Sequence, residues 1–275
     1  MTEKVKTIPG ANILLLGETG TGKTHAIRTL LDAGITPFII FTEPGMEVLG
    51  DLPPEDCHWK YIAPASPDWD AMVDSAKKIN QLPFQSIAKM EDINKRRYAQ
   101  FIDVLQALHD FTCDRTGESF GDVATWGPDR AIVIDSLSGL NVMAMNLVVG
   151  SKPTKSMADW GMAMDNLERL VQKLCTDTNA FFILTGHLER EVDEVSGGVT
   201  LMASTLGRKL APRLPRFFSD VIQTQRKGKD FFWSTATSNV ATKARNLEWA
   251  ENLPPSFVPL VEAWKKAGGV LKGAK

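Results

Sequence analysis

The sequence predicts an α/β protein: a mostly parallel sheet with helices on both faces. Three observations carry that expectation. Short apolar runs recur at 12–16, 37–41, 131–134 and 181–185, long enough for buried strands and too short for buried helices. Segments with apolar residues at three- and four-residue steps separate them, as amphipathic helices require. Each run then stops at a glycine or a polar residue, with Gly17, Glu43, Asp135 and His187 at or just beyond the four ends. Strands alternating with helices connect by right-handed crossovers into a parallel sheet. Ligands in such sheets bind beyond the carboxyl ends of the strands, where these four residues fall.

Residues 1–11 read as a short polar arm, and Asn12 to Leu16 as the first strand. One helix should follow, with Ala26, Ile27, Leu30 and Leu31 on its inner face and Gly34 as its stop. Pro37–Phe41 is a buried strand ending in the turn signal Thr42-Glu43-Pro44-Gly45. Trp59–Ile62 is a third strand, followed by a helix over about 67–81. A helical segment over 86–116 carries Ile87, Met90, Tyr98, Phe101, Leu105 and Leu108 inward. After a Gly-, Asp- and Trp-containing loop come the strand Ala131–Ile134 and a helix over 139–148. A long helix then places Trp160, Met164, Leu167, Val171 and Leu174 on one face. Phe181–Thr185 is the next strand, followed by a polar stretch. Asp220–Gln225 and Phe231–Thr235 form a hairpin around Arg226–Lys229. A short helix over 256–266 and a mobile tail over 268–275 end the chain.

The chain of 275 residues is 43% hydrophobic and 23% charged, which suits one large α/β domain over 1–275. A net charge of −2 means that any nucleic-acid surface must be local. Cys57, Cys113 and Cys175 form no paired motif, no apolar run reaches membrane-spanning length, and Met1–Lys4 opens no secretory segment. These features point to a reducing, cytoplasmic setting without a membrane partner.

Gly17-Glu18-Thr19-Gly20-Thr21-Gly22-Lys23-Thr24 matches the phosphate-binding loop G-x-x-x-x-G-K-[ST], in its strand–loop–helix context. Glycines let the backbone approach a ligand and turn its N–H groups inward as an anion nest. Lys23 would meet the β- and γ-phosphates, and the Thr24 hydroxyl would ligate Mg²⁺. Asp135, closing an apolar strand, reads as a Walker B carboxylate that holds the same ion; a plain helix cap is the other reading. Glu43 would orient and deprotonate the attacking water, or simply serve the turn before Pro44. His187 would sense the γ-phosphate, or be a satisfied strand-end histidine. Lys243 and Arg245 lie one residue apart beyond the hairpin, suited to a cationic finger for a neighbour's nucleotide or to a solvated strand edge. Arg208, Lys209, Arg213 and Arg216 precede Phe217 and Phe218 with no acid among them, a cation–aromatic mix that suits single-stranded DNA. Lys152 and Lys155 form a second basic candidate. The alternative is a surface of solvated cations over core phenylalanines.

The order of these parts resembles the RecA family of P-loop ATPases. The similarity runs from Ile13 to about Thr235, most closely at Ile132–Leu140 and Ala158–Met164. The Lys243-x-Arg245 element and Phe120-Gly121-Asp122 look similar to short phage-encoded RecA-like proteins, among them single-strand-annealing recombinases. The resemblance implies a RecA-like core, ATP with Mg²⁺, and a homo-oligomer, ring or filament, on single-stranded DNA. It also implies the host cytoplasm as location and a single-strand DNA-binding protein as a further partner. Its DNA loops would follow Val148 and His187. Three departures stand out: a short N-terminal arm, no separate C-terminal domain, and acids at Glu189, Glu191, Asp193 and Glu194 in the second loop. Those acids would repel phosphates, which moves the expected DNA contact to 205–216.

The leading expectation is therefore a DNA-stimulated ATPase of recombination, repair or annealing. A ring helicase or translocating motor on the same core is the alternative, although no primase or loader-binding segment is present. A small-molecule kinase fits less well, because a whole strand and Glu43 intervene between the loop and Asp135. No N-K-x-D guanine motif occurs.

Overall fold

The computed structural model describes residues 8–90, 95–150, 152–192, 199–207 and 209–271. In chain order the elements are β1 (Asn12–Leu16), α1 (Lys23–Ala26), α2 (Thr29–Asp32), β2 (Thr36–Phe41), β3 (His58–Tyr61), α3 (Trp69–Gln81), α4 (Phe84–Ala88) and α5 (Gln100–His109). There follow β4 (Arg130–Asp135), α6 (Leu137–Val149), α7 (Met157–Thr176), β5 (Phe181–Gly186), β6 (Leu188–Val192), β7 (Val199–Ala203), β8 (Asp220–Lys227), β9 (Asp230–Ser234) and α8 (Val258–Lys266). The main sheet has seven strands in the order β3-β2-β4-β5-β1-β8-β9. All neighbours run parallel except β8 and β9, which form an antiparallel hairpin at one edge. The expected fold class is thus present.

Strand alternation divides the core into two layers. Leu14, Phe38, Ile132, Ile134, Phe182 and Leu184 face α5, α6 and α7. Ile13, Leu15, Ile39, Val133, Phe181 and Ile183 face the helical turns after the loop and α8. Both outer edges of the sheet are partly paired. Beyond β3, the Asp114 amide donates to the Trp59 carbonyl at 2.8 Å and the Tyr61 amide donates to Asp114 Oδ2 at 2.7 Å. Beyond β9, Trp233 and Leu253 exchange amide–carbonyl bonds, each 2.8 Å.

The structure differs from expectation in five places. The single helix after the loop is two short pieces, α1 and α2, joined by a turn at Ile27–Arg28 held by i→i+3 bonds. The helical segment over 86–116 is divided into α4, a tight 3₁₀ turn at Lys95–Tyr98, and α5. It stops at His109 because Phe111 pairs instead with Phe120 and Gly121. The polar stretch after His187 contains an antiparallel pair, β6–β7, with Leu188 opposite Ala203. The hairpin turn is narrower than Arg226–Lys229: Arg226 and Lys227 remain in β8, and the loop is Gly228-Lys229, with Gly228 at φ 63°. The tail is packed where it begins, since the Gly269 amide donates to the Trp264 carbonyl and Leu271 rests on the α8 layer. Residues 272–275, and residues 1–7 of the arm, lie outside the described residues. The helix expected over 67–81 forms as α3, but none of its residues is buried. Among the described residues no helix is long and apolar enough to cross a membrane.

Candidate active site

The ends of β1, β2, β4 and β5 converge on a cleft of about 620 Å³. The loop from Thr19 to His25, Glu43, Pro44, Asp135, His187 and Phe231 line it. Because β5 lies between β1 and β4, Thr185 and His187 reach between the phosphate loop and the two carboxylates.

The loop's shape follows from its glycines. Gly20 and Gly22 hold φ angles of 75° and 82°, which a residue with a Cβ adopts at a cost. Gly17 is required for space: a Cβ there would stand 1.9 Å from Thr224 Oγ1. That hydroxyl donates to Thr21 Oγ1 at 2.7 Å, with the Leu16 carbonyl oxygen 3.2 Å away, so β8 braces the loop from the side. Thr21 also donates to the Glu18 carbonyl.

Lys23 is buried, its ammonium donating to the Gly17 carbonyl at 2.9 Å and the Glu18 carbonyl at 2.8 Å. Burial lowers its pKa, against the pull of Asp135 and then Glu43. The charge is therefore held in a poorly solvated place, where a phosphate oxygen is a strong partner.

Thr24 Oγ1 donates to Asp135 Oδ2 at 2.6 Å, and the Thr185 hydroxyl donates to Asp135 Oδ1. Both oxygens of a buried carboxylate thus accept from hydroxyl groups. A hydroxyl and a carboxylate in contact are hard oxygen donors, the set that Mg²⁺ prefers. Among the described residues no group of three or more His, Cys, Asp or Glu could hold an ion unaided. Water and phosphate oxygens would complete the shell, as is usual for Mg²⁺.

Glu43 is half-exposed across the cleft. Its Oε2 accepts from the Ser136 hydroxyl and lies 3.8 Å from His187 Nε2. The His187 contact, foremost, and the Ser136 bond lower its pKa, while partial burial opposes them. The Thr42 hydroxyl donates to the Ser136 carbonyl at 2.7 Å and accepts from the Ser136 amide at 2.9 Å. That reciprocal pair ties the end of β2 to the end of β4, the strand ends that carry Glu43 and Asp135.

The other expected residues lie elsewhere. Lys243 pairs with Val221, which sits opposite Leu14 near the amino end of β8, away from the loop that follows Leu16. Its ammonium donates to the Phe218 carbonyl at 2.6 Å, and burial, then Arg245, lowers its pKa. Arg245 is exposed, its amide and those of Asn246 bonded to the fully buried Asp220. The two cations therefore differ: Lys243 is tied within the chain and Arg245 faces solvent.

In the basic stretch Arg208 lies outside the described residues. Lys209 is exposed. Arg213 and Arg216 are exposed but both pair with Glu168 of α7, at 3.4 and 2.6 Å. Phe218 is a correction: it is 1% exposed and stacks on Phe182, because Leu210, Leu214 and Phe218 recur every four residues and face inward. Phe217 is half-buried against the same core, under the Arg216 guanidinium. Lys152 pairs with Asp159 at 3.5 Å, and Lys155 lies exposed over Trp160. Lys155 lies just before α7 and Glu168 about 16 Å along it from Met157, so the two basic groups stand apart.

Sequence reasoning missed Thr185, Thr224 and Phe231. Single hydroxyl residues inside strands carry no spacing signal, and Phe231 reads as an ordinary strand residue. Ser136 was visible only as the neighbour of Asp135.

A glycine-rich loop with a buried lysine, a threonine–aspartate pair for a hard cation and a carboxylate across the cleft define a P-loop nucleotide-binding α/β protein. The chain belongs to the AAA domain family AAA_24, whose model matches residues 10–247. Members of such a P-loop ATPase family bind nucleotide, typically with Mg²⁺. No curated protein matches the chain. Among solved structures, the RadB recombinase is similar over 90% of this chain and 86% of its own, at 12% identity and a TM-score of 0.34. The flagellar accessory protein FlaH from Methanocaldococcus jannaschii is similar over 82% of this chain and 78% of its own, also at 12% identity and a TM-score of 0.34.

Proposed function

We propose that the protein hydrolyses ATP and acts on single-stranded DNA as a homo-oligomer, in recombination, repair or annealing. The observation that supports hydrolysis, beyond binding alone, is Glu43: a carboxylate whose pKa His187 and Ser136 lower, lining the same cleft as the Thr24–Asp135 pair. In this reading the loop and Lys23 bind the phosphates. Thr24 and Asp135 would hold Mg²⁺, which when bound neutralises phosphate charge. Glu43 orients a water and takes its proton as the oxygen attacks the γ-phosphorus, while the bond from that phosphorus to the β–γ bridging oxygen breaks and ADP leaves with phosphate. His187 holds Glu43 in place and connects the cleft to β6–β7. That the chain acts as the phage-encoded annealing recombinases do rests on the sequence resemblance. The exposed cations Lys155, Lys209 and Arg245 support the DNA part.

The test is ATP turnover with Mg²⁺, measured with and without single-stranded DNA. Turnover that DNA stimulates is expected. Turnover indifferent to DNA would remove the DNA part, and no turnover in either condition would remove the hydrolytic one.

A further inference from the structure

The cleft extends past the phosphate loop on the side away from Glu43. There its wall is Phe231, near the start of β9. Two residues on, Trp233 shares its face of the strand and is 1% exposed, in the layer that packs on the helical turns after the loop. Phe231 carries the same face beyond the core and is 38% exposed. The uncovered part of the ring forfeits the apolar gain of burial, and it lines the cleft rather than open surface.

Its surroundings are specific. The ring edge lies against Gly22: a Cβ on that residue would stand 3.0 Å from Phe231 Cδ1. Arg226, its partner across the hairpin, places its guanidinium 5.7 Å from the ring centroid. The Arg226 Nε–H donates to the Gly228 carbonyl at 2.8 Å, which holds that guanidinium at the turn. The ring therefore borders the loop that would take the phosphates, while part of its surface opens into the same cleft. A planar apolar surface bordering a phosphate nest and opening into the same cleft suits a planar aromatic base.

We propose that Phe231 is the platform on which the nucleotide base stacks, with Arg226 fixing the ring's surroundings. This rests on the nucleotide reading of the cleft and adds how the base is recognised. Stacking tolerates any base with a π face and favours the larger purines. The site should accordingly prefer ATP to CTP through Phe231.

The test is calorimetric titration of the full-length chain, in Mg²⁺, with ATP, CTP and inorganic tripolyphosphate. In Phe231→Ala, ATP affinity should fall about tenfold, tripolyphosphate affinity should stay unchanged, and the preference for ATP over CTP should shrink. Phe231→Trp, which keeps an aromatic face, should bind ATP within about threefold of the unsubstituted chain. Unchanged ATP affinity in Phe231→Ala would overturn the proposal. So would equal losses for ATP and tripolyphosphate, which would make Phe231 a prop for Gly22. Failure of the nucleotide reading has a different signature: the unsubstituted chain would bind neither ATP nor tripolyphosphate, and the platform would fall with it.

Discussion

Thr24 and Asp135 stand 111 positions apart in the chain and meet through a 2.6 Å hydrogen bond in the wall of the cleft. The contact exists because β1 and β4 end at the same side of the sheet with only β5 between them. Asp135→Asn removes the charge and gives the two threonine hydroxyls an amide to meet. Its Mg²⁺ requirement for nucleotide binding should rise about tenfold or more. Titrating Mg²⁺ at fixed ATP measures this, and an unshifted curve would take Asp135 out of the metal role.

Glu43→Gln keeps the side chain's size and its contact with the Ser136 hydroxyl, but cannot accept a proton. ATP should still bind with little change while turnover falls by about 10²–10⁴. Single-turnover kinetics separate the two effects. Turnover near that of the unsubstituted chain would place the base elsewhere.

The Glu43–His187 pair also sets a pH dependence. The histidine contact and the Ser136 bond hold the Glu43 carboxyl below its ordinary value of 4.5, so it stays ionised where a free glutamate is already taking up protons. The stability it contributes is fully present above 4.5 and is lost as pH falls through the lowered value. His187→Ala removes the largest cause. The acid limb of the turnover profile should then move to higher pH, and a stationary limb would leave His187 without this effect.

Lys243 and Arg245 should separate on substitution. Lys243→Ala breaks the bond to the Phe218 carbonyl, and it should cost about 1 kcal/mol and lower Tm by about 2–4 °C. Arg245→Ala leaves the backbone bonds to Asp220 intact, so Tm should hold. If Arg245 serves a neighbour's nucleotide, DNA-stimulated turnover should drop, and mixing with Lys23→Ala should restore part of it. No recovery in confirmed mixed assemblies would leave Arg245 as surface charge.

Much of the site was legible in the sequence because strand ends follow from apolar runs, and a parallel sheet gathers them. Gly17–Thr24, Glu43, Asp135 and His187 all line or border one cleft for that reason. What was illegible depends on contacts between distant strands. Thr224 braces the loop from β8, and nothing near residue 224 in the sequence announces it. The pair β6–β7 was hidden by its charges, because it lies outside the main sheet and only part of it is covered. Lys243 and Arg245 look equivalent in sequence, and only the Phe218 carbonyl distinguishes them.

The partly paired edges of the sheet bear on how copies of the chain can join. An open strand edge invites a second molecule to continue the ladder, with little regard for side chains. Here the segment around Asp114 covers part of β3 and the one around Leu253 part of β9, so a full continuation of the main sheet's ladder would first have to peel one of them away. If copies of the chain assemble as proposed, side chains and loops rather than a continued main sheet would carry the contact. A contact of that kind can open and close with each nucleotide, whereas a shared ladder would lock.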